Sequence, residues 1–132
     1  MPETVKIIEC PRDAMQGIKT QIPTDAKVRY LQALLNCGFD TLDFGSFVSP
    51  RAIPQMADTA QVLDGLDLSR TSSKLLAIVA NLRGARDACK FAQIRYLGYP
   101  FSISENFQMR NTHKTIDQSI EILEGILEEA TR

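Results

Sequence analysis

The chain has 132 residues, 44% of them apolar and 23% charged, with a formal net charge of −1. That length suits one globular unit and is short for a complete (βα)8 barrel. The interspersed, near-neutral charge excludes a sequence-independent grip on nucleic acid or on a membrane surface, and no apolar run approaches the ~20 residues of a membrane span. The opening Met1-Pro2-Glu3-Thr4 has neither a basic nor an apolar region, so no signal peptide is expected. Three widely spaced cysteines, Cys10, Cys37 and Cys89, form neither a disulfide framework nor a zinc pattern. They read as reduced, mostly packed thiols of a cytoplasmic protein.

Residues 5–9, Val-Lys-Ile-Ile-Glu, predict a first strand. It runs into Pro11-Arg12-Asp13-Ala14-Met15-Gln16, a charged turn at the strand's C-terminal end, where parallel α/β folds collect their chemistry. Two readings of Arg12 beside Asp13 stay open. They form a surface ion pair, or the carboxylate holds a hard divalent metal while the guanidinium stabilises an oxyanion next to it. Residues 17–23 form a loop long enough to fold over a site. Thr24 is expected to cap a helix to about residue 36, with Val28, Leu31, Leu34 and Leu35 inward and Gly38 closing it.

Residues 39–44 predict a second strand, ending at Asp43-Phe44-Gly45. The next stretch, Ser46 to Met56, is a turn that opens a helix with Pro54 in its first turn. That helix runs to about Leu66, with Val62, Leu63 and Leu66 inward, and residues 67–73 are polar and turn-like. Residues 74–80 are nearly continuously apolar, as in a strand covered on both faces. Asn81-Leu82-Arg83-Gly84 starts a third helix through residue 90, and residues 93–97 predict a fourth strand. Its end leads through Ser104-Glu105-Asn106-Phe107 to Asn111. The last helix begins at Thr115, which has capping-box spacing to Gln118. Its expected buried stripe is Ile116, Ile120, Leu123 and Leu127, and Glu128-Glu129 opposes the helix dipole, which predicts fraying.

Strand and helix alternate four times without a linker, so residues 1–132 read as one region of α/β class, a parallel (βα)4 half of a (βα)8 TIM barrel. Such a half has two open sheet edges and an uncovered inner face. Among single side chains, Ser46 and Ser49 read as turn and cap residues, because no histidine is placed to activate them. His113 sits in a polar stretch and reads as a solvated loop residue. Asn81 suits substrate contact or helix capping equally. Glu105 and Asn111 would border a site at the strand ends. Arg51 and Arg83 read as solvated charges, and Cys10 as a packed thiol.

Taken in order, Pro11-Arg12-Asp13-x-x-Gln16, Ser46-Phe47-Val48-Ser49-Pro50 with Pro54-Gln55-Met56, Asn81-Leu82-Arg83-Gly84, and Ser104-Glu105-x-Phe107 with Asn111 closely resemble the 3-hydroxy-3-methylglutaryl-CoA lyases. These belong to the pyruvate-carboxyltransferase-like, metal-dependent barrel enzymes. The resemblance covers nearly the whole chain but only the N-terminal half of the family's barrel. Arg-Asp with a nearby Gln is shared with isopropylmalate and homocitrate synthases, whereas the Ser46-to-Met56 stretch is specific to the lyase branch.

The resemblance implies cleavage of 3-hydroxy-3-methylglutaryl-CoA to acetoacetate and acetyl-CoA, with a divalent cation, Mg2+ or Mn2+. It assigns Asp13 as a metal ligand, Arg12 and Asp43 to catalysis, and Gln16, Asn81 and Glu105 to substrate binding. Asp43 stands where these lyases usually carry glutamate, one methylene and about 1.5 Å longer. Cys10 replaces a usual glycine, and Ala14-Met15 a usual Gly-Leu. The family's His-x-His ligands, asparagine ligand and glycine-rich cysteine loop belong to the second half of its barrel and have no counterpart in this chain. The isolated chain is therefore expected to be nearly inactive. Its expected partners are an acyl-CoA and either a second copy or a complementary C-terminal half. A related synthase or a non-catalytic truncated half-barrel is the alternative.

Overall fold

The computed structural model describes residues 3–132; Met1 and Pro2, part of the start read for a signal peptide, lie outside the described residues. Four strands, β1 (Ile8–Glu9), β2 (Thr41–Ser46), β3 (Lys74–Ile78) and β4 (Ile94–Gly98), form one sheet in the order of the sequence. All three pairings are parallel. Among the described residues, six α-helices connect and flank them: α1 (Pro11–Gln16), α2 (Thr24–Leu35), α3 (Thr59–Asp64), α4 (Leu82–Ala88), α5 (Glu105–Thr112) and α6 (Ile116–Ala130). The expected (βα)4 half-barrel is thus the architecture observed.

The outer face of the sheet packs on helices. Leu42, Phe44, Leu75 and Ala77 meet Leu31 and Leu35 of α2, Val62 and Leu63 of α3, and Met15 of α1 in one buried cluster. Val79, Ala85, Ala88 and Ile126 form a second cluster under α4 and α6. The inner face is open. Asp43, Leu76 and Tyr96 stand in register across β2–β4, as do Ser46, Ile78 and Gly98 beyond a bulge in β2. Leu76 and Ile78 are half-buried, and Tyr96 is 41% exposed. A closed barrel fills this space with side chains from all eight strands.

Several boundaries differ from expectation for physical reasons. β1 holds two residues rather than five; before it, Ile7 keeps a single bond from the Asp40 amide (3.0 Å). The Pro11–Gln16 segment is a helix and not a turn, with Pro11 at its start, Asp13 in its first turn and Met15 buried as its anchor. Thr24 does not cap α2. It is the first helical residue, and its hydroxyl donates to Asp58 (2.7 Å). Pro54 opens a separate 3-10 turn, and α3 starts only at Thr59, whose hydroxyl bonds to the Ser46 and Met56 carbonyls (2.9 and 2.8 Å). α5 was not anticipated; Ser104 caps it by accepting from the Phe107 amide (3.3 Å). The capping box at Thr115 forms as expected. The buried face of α6 is instead Ser119 and Ile126 with Ile122, while Ile120 and Leu127 are exposed. The helix rotates this way because Ser119 takes a bond from buried Gln108 (2.5 Å) and Glu129 pairs with Arg86 of α4 (3.1 Å). That pairing also holds the acidic end expected to fray.

A buried lysine joins α2 to the start of α3. Lys27 is 2% exposed, its ammonium meets Asp58 at 2.6 Å, and it also donates to the Gln55 carbonyl. Removing one partner of such a pair leaves an uncompensated buried charge. Asp58→Ala is expected to destabilise the chain by about 3 kcal/mol, read as a lower midpoint in urea unfolding with an unchanged slope.

Candidate functional site

The first strand delivers Cys10 and Pro11 to the C-terminal end of the sheet, and α1 begins at once. That geometry swings Arg12 back across β2. Its Nη2 donates to Asp43 Oδ2 (2.7 Å), and its Nε lies 3.2 and 3.1 Å from Asp43 Oδ1 and Oδ2. One helical turn on, Gln16 Oε1 accepts from Nη1 (2.9 Å). Asp13 Oδ1 receives longer bonds, 3.4 Å each, from Arg12 Nη1 and Gln16 Nε2. Arg12 and Asp43 are largely buried, with side chains 15% and 5% exposed, whereas the Asp13 side chain is 68% exposed. Burial alone would lower the Arg12 pKa. The bonds to Asp43 and its charge more than offset this and raise it above the ordinary value. The result is a permanently charged guanidinium locked in one plane at the strand ends.

Four of the six residues singled out from sequence, Arg12, Asp13, Gln16 and Asp43, therefore form one connected cluster. The other two lie apart from it in bonding. Asn81 Oδ1 caps α4 by accepting from the Gly84 amide (2.9 Å). Glu105 accepts from the Ile116 amide at 3.4 and 3.3 Å, tying α5 to the start of α6. Asn111 donates to the Phe107 carbonyl, and His113 ends α5 in the left-handed conformation (φ 55°). Ser46 and Ser49 accept from amides two residues on, in the turn roles expected of them.

The sequence reading passed over Gln55 as a functional side chain. It is 3% exposed and clasps the 17–23 loop three times: Oε1 accepts from the Ile22 amide (2.9 Å), and Nε2 donates to the Ile18 and Thr20 carbonyls (2.9 and 3.0 Å). The loop is thereby pinned to the 3-10 turn beside α1. A glutamine directly after Pro54 was the only hint, and nothing in the sequence names its partners.

The donor set falls short of a metal cage. Among the described residues no group of three or more His, Cys, Asp or Glu side chains assembles. Asp43 is committed to Arg12, which leaves Asp13 as one outward carboxylate where a hard cation needs about six ligands, water included.

No protein-family model matches the chain. Individual relatives do. It is 34% identical over 133 residues to the cytoplasmic 3-hydroxy-3-methylglutaryl-CoA lyase of Rattus norvegicus, covering 98% of the chain and 38% of the relative. It is 35% identical over 121 residues to the mitochondrial hydroxymethylglutaryl-CoA lyase of Arabidopsis thaliana, covering 91% of the chain and 25% of the relative. The solved hydroxymethylglutaryl-CoA lyase of Pseudomonas aeruginosa superposes with a TM-score of 0.89 at 34% identity, over 98% of this chain and 43% of that one. The chain is similar to the N-terminal half of a hydroxymethylglutaryl-CoA lyase. It spans less than half the length of these relatives. A lyase of Acinetobacter baumannii, solved with coenzyme A and 3-methylmalate, matches at a TM-score of 0.86 and 32% identity, over 94% of this chain and 40% of that one.

Cys10, Cys37 and Cys89 are all exposed, not packed as expected, because each sits at an element end rather than inside one. Partial withdrawal from water, then the charge of Asp43, raises the Cys10 pKa, with Arg12 pulling the other way. A raised pKa means less thiolate at a given pH. Cys10 is expected to react with iodoacetamide at pH 8 more slowly in the folded chain than in the urea-unfolded chain, with peptide mass spectrometry following its carbamidomethylation.

Proposed function

We propose that this chain supplies the first four βα units of a carbon–carbon lyase that cleaves 3-hydroxy-3-methylglutaryl-CoA to acetoacetate and acetyl-CoA. One observation carries the reading: the Arg12 guanidinium is fixed by Asp43 and Gln16 at the strand ends, in a chain similar to these lyases along nearly all its length. In the reaction, a base takes the proton from the tertiary hydroxyl. Its oxygen becomes the ketone of acetoacetate as the carbon–carbon bond breaks. The bonding pair moves onto the thioester carbonyl, giving an acetyl-CoA enolate that is then protonated.

Arg12 meets that enolate oxygen. A donor already held in place stabilises developing charge without reorganising, and losing one costs about 10²–10³ in rate. Asp43 holds the guanidinium plane, and its shorter side chain draws Arg12 towards β2. Gln16 borders the substrate from the same helix. Asn81 and Glu105, which follow β3 and β4, stand at the same end of the sheet and line its rim. The divalent cation, Mg2+ or Mn2+, would lower the hydroxyl pKa and hold the substrate oxygens. Asp13 offers it one ligand, and the rest of its shell comes from a complementary half-barrel. The partners are thus an acyl-CoA and that second half, in a cytoplasmic protein with reduced cysteines.

The test replaces the N-terminal half of a full-length lyase with residues 3–132 of this chain. The chimera is expected to release acetoacetate from 3-hydroxy-3-methylglutaryl-CoA, and Arg12→Gln to lower kcat by about 10²–10³-fold with a small change in KM. A folded chimera with no cleavage above background sinks the proposal. The chain by itself is expected to show neither turnover nor sub-millimolar Mn2+ binding by calorimetry, in wild type or Asp13→Ala.

A further inference from the structure

We infer that Gln55 is a positioning residue for Arg12: it fixes the far end of α1, and with it the direction in which Arg12 and Gln16 face, while Asp43 fixes the guanidinium from the sheet. A helix of six residues is well below the ~12–15 at which a helix is marginal by itself in water, so α1 takes its orientation from what surrounds it. Pro11 and Met15 are buried, and α1 packs on β2 and on the 3-10 turn Pro54–Met56. Its start has no side-chain cap. Its end is held through the backbone that follows. The Ile18 amide donates to the Met15 carbonyl (3.0 Å), and the Ile18 carbonyl accepts from Gln55 Nε2 (2.9 Å). The chain is thus grasped just after Gln16, and again at the Thr20 carbonyl and the Ile22 amide (3.0 and 2.9 Å).

Gln55 is itself held from the opposite side. Its carbonyl accepts from the buried Lys27 ammonium, which pairs with Asp58 (2.6 Å), and Thr24 donates to the same carboxylate (2.7 Å). The neighbouring Met56 lies in the core cluster with Leu42, Phe44 and Met15. Gln55 therefore ties the end of α1 to the frame built on β2, and β2 carries Asp43. Arg12 spans the same two parts, since it stands on α1 and bonds Asp43 (2.7 Å). A ring results: β2, Asp43, Arg12, α1, Ile18, Gln55 and back to β2. Two links set the angle of α1 against the sheet. Without the Gln55 link, α1 pivots on Met15 and on the bonds of Arg12. All three groups that the Gln55 side chain grasps are main-chain groups, so the hold follows the path of the loop. At 3% exposure the amide uses one acceptor and two donors with bulk water shut out, and each group it releases is left wanting a partner.

For catalysis this rests on the lyase reading of Arg12; the bonds to the loop do not. The first test uses the chain itself, by proton–nitrogen NMR of the Arg12 Nε–H group, which lies against Asp43 (3.2 and 3.1 Å) and exchanges slowly with solvent while that bond holds. Ionised, the side chain of Gln55→Glu keeps the length and the acceptor for the Ile22 amide but loses both donors; Gln55→Leu loses all three bonds. Each should speed exchange at Arg12 about tenfold, and Gln55→Glu decides alone if Gln55→Leu does not fold. Val62→Ala truncates a core side chain (2% exposed) without removing a hydrogen bond, and should leave that exchange within about twofold of wild type. In the chimera, Gln55→Glu should lower kcat about tenfold with KM little changed. It should cost almost nothing more once Arg12→Gln is present, because both act through one group. Equal acceleration in Val62→Ala, an unmoved Arg12 signal in the Gln55 variants, or kcat losses that multiply in the double variant overturns the inference. An inactive chimera overturns the lyase reading, and the Arg12 signal then decides the positioning by itself.

Discussion

A parallel sheet buries both faces or it is incomplete, and this constraint organises the molecule. The outer face is satisfied. Leu31 of α2 and Leu42, Leu75 and Ala77 of the sheet are all at most 1% exposed, and the helices cover them. The inner face carries Asp43, Leu76 and Tyr96 in one row; Arg12 covers Asp43, while Leu76 is half-buried and Tyr96 exposed. The fold is therefore closely packed on its outer face and more open on its inner face.

Within that frame the charged cluster occupies the one part of the inner face that is finished. A buried ion pair is costly to desolvate, and only good geometry with further hydrogen bonds repays the cost. Here Asp43 meets Arg12 through both oxygens, and Gln16 takes a further guanidinium proton. No buried side-chain polar atom among the described residues lacks a partner. The guanidinium is preorganised before a substrate arrives. Asp13, by contrast, is solvated and weakly bonded, as a single ligand from an unfinished shell would be.

The scaffold around the cluster is equally specific. Met15, in place of the usual leucine, turns into the core and anchors α1, while Ala14 beside it stays exposed. Gln55, Lys27 and Asp58 bind the loop after α1 to the 3-10 turn and to α2. The loop that was expected to fold over a site is held against the 3-10 turn by Gln55.

Local chemistry was legible in the sequence because it depends on near neighbours. The β-branched runs, the Thr115 capping box and the fourfold alternation determined four parallel strands with helices outside. The Arg12-Asp13-Gln16 spacing placed those three side chains on one short segment. What the sequence could not decide depended on distant partners. Asp43 reaches Arg12 across 31 positions, and Gln55 reaches the Ile18 carbonyl across 37. Asn81 and Glu105 were candidates for a site, and their side-chain oxygens also accept from the Gly84 and Ile116 amides at helix N-termini, which need such partners. The face that α6 buries follows contacts from distant neighbours, Gln108 to Ser119 and Arg86 to Glu129, which the helical spacing alone does not name.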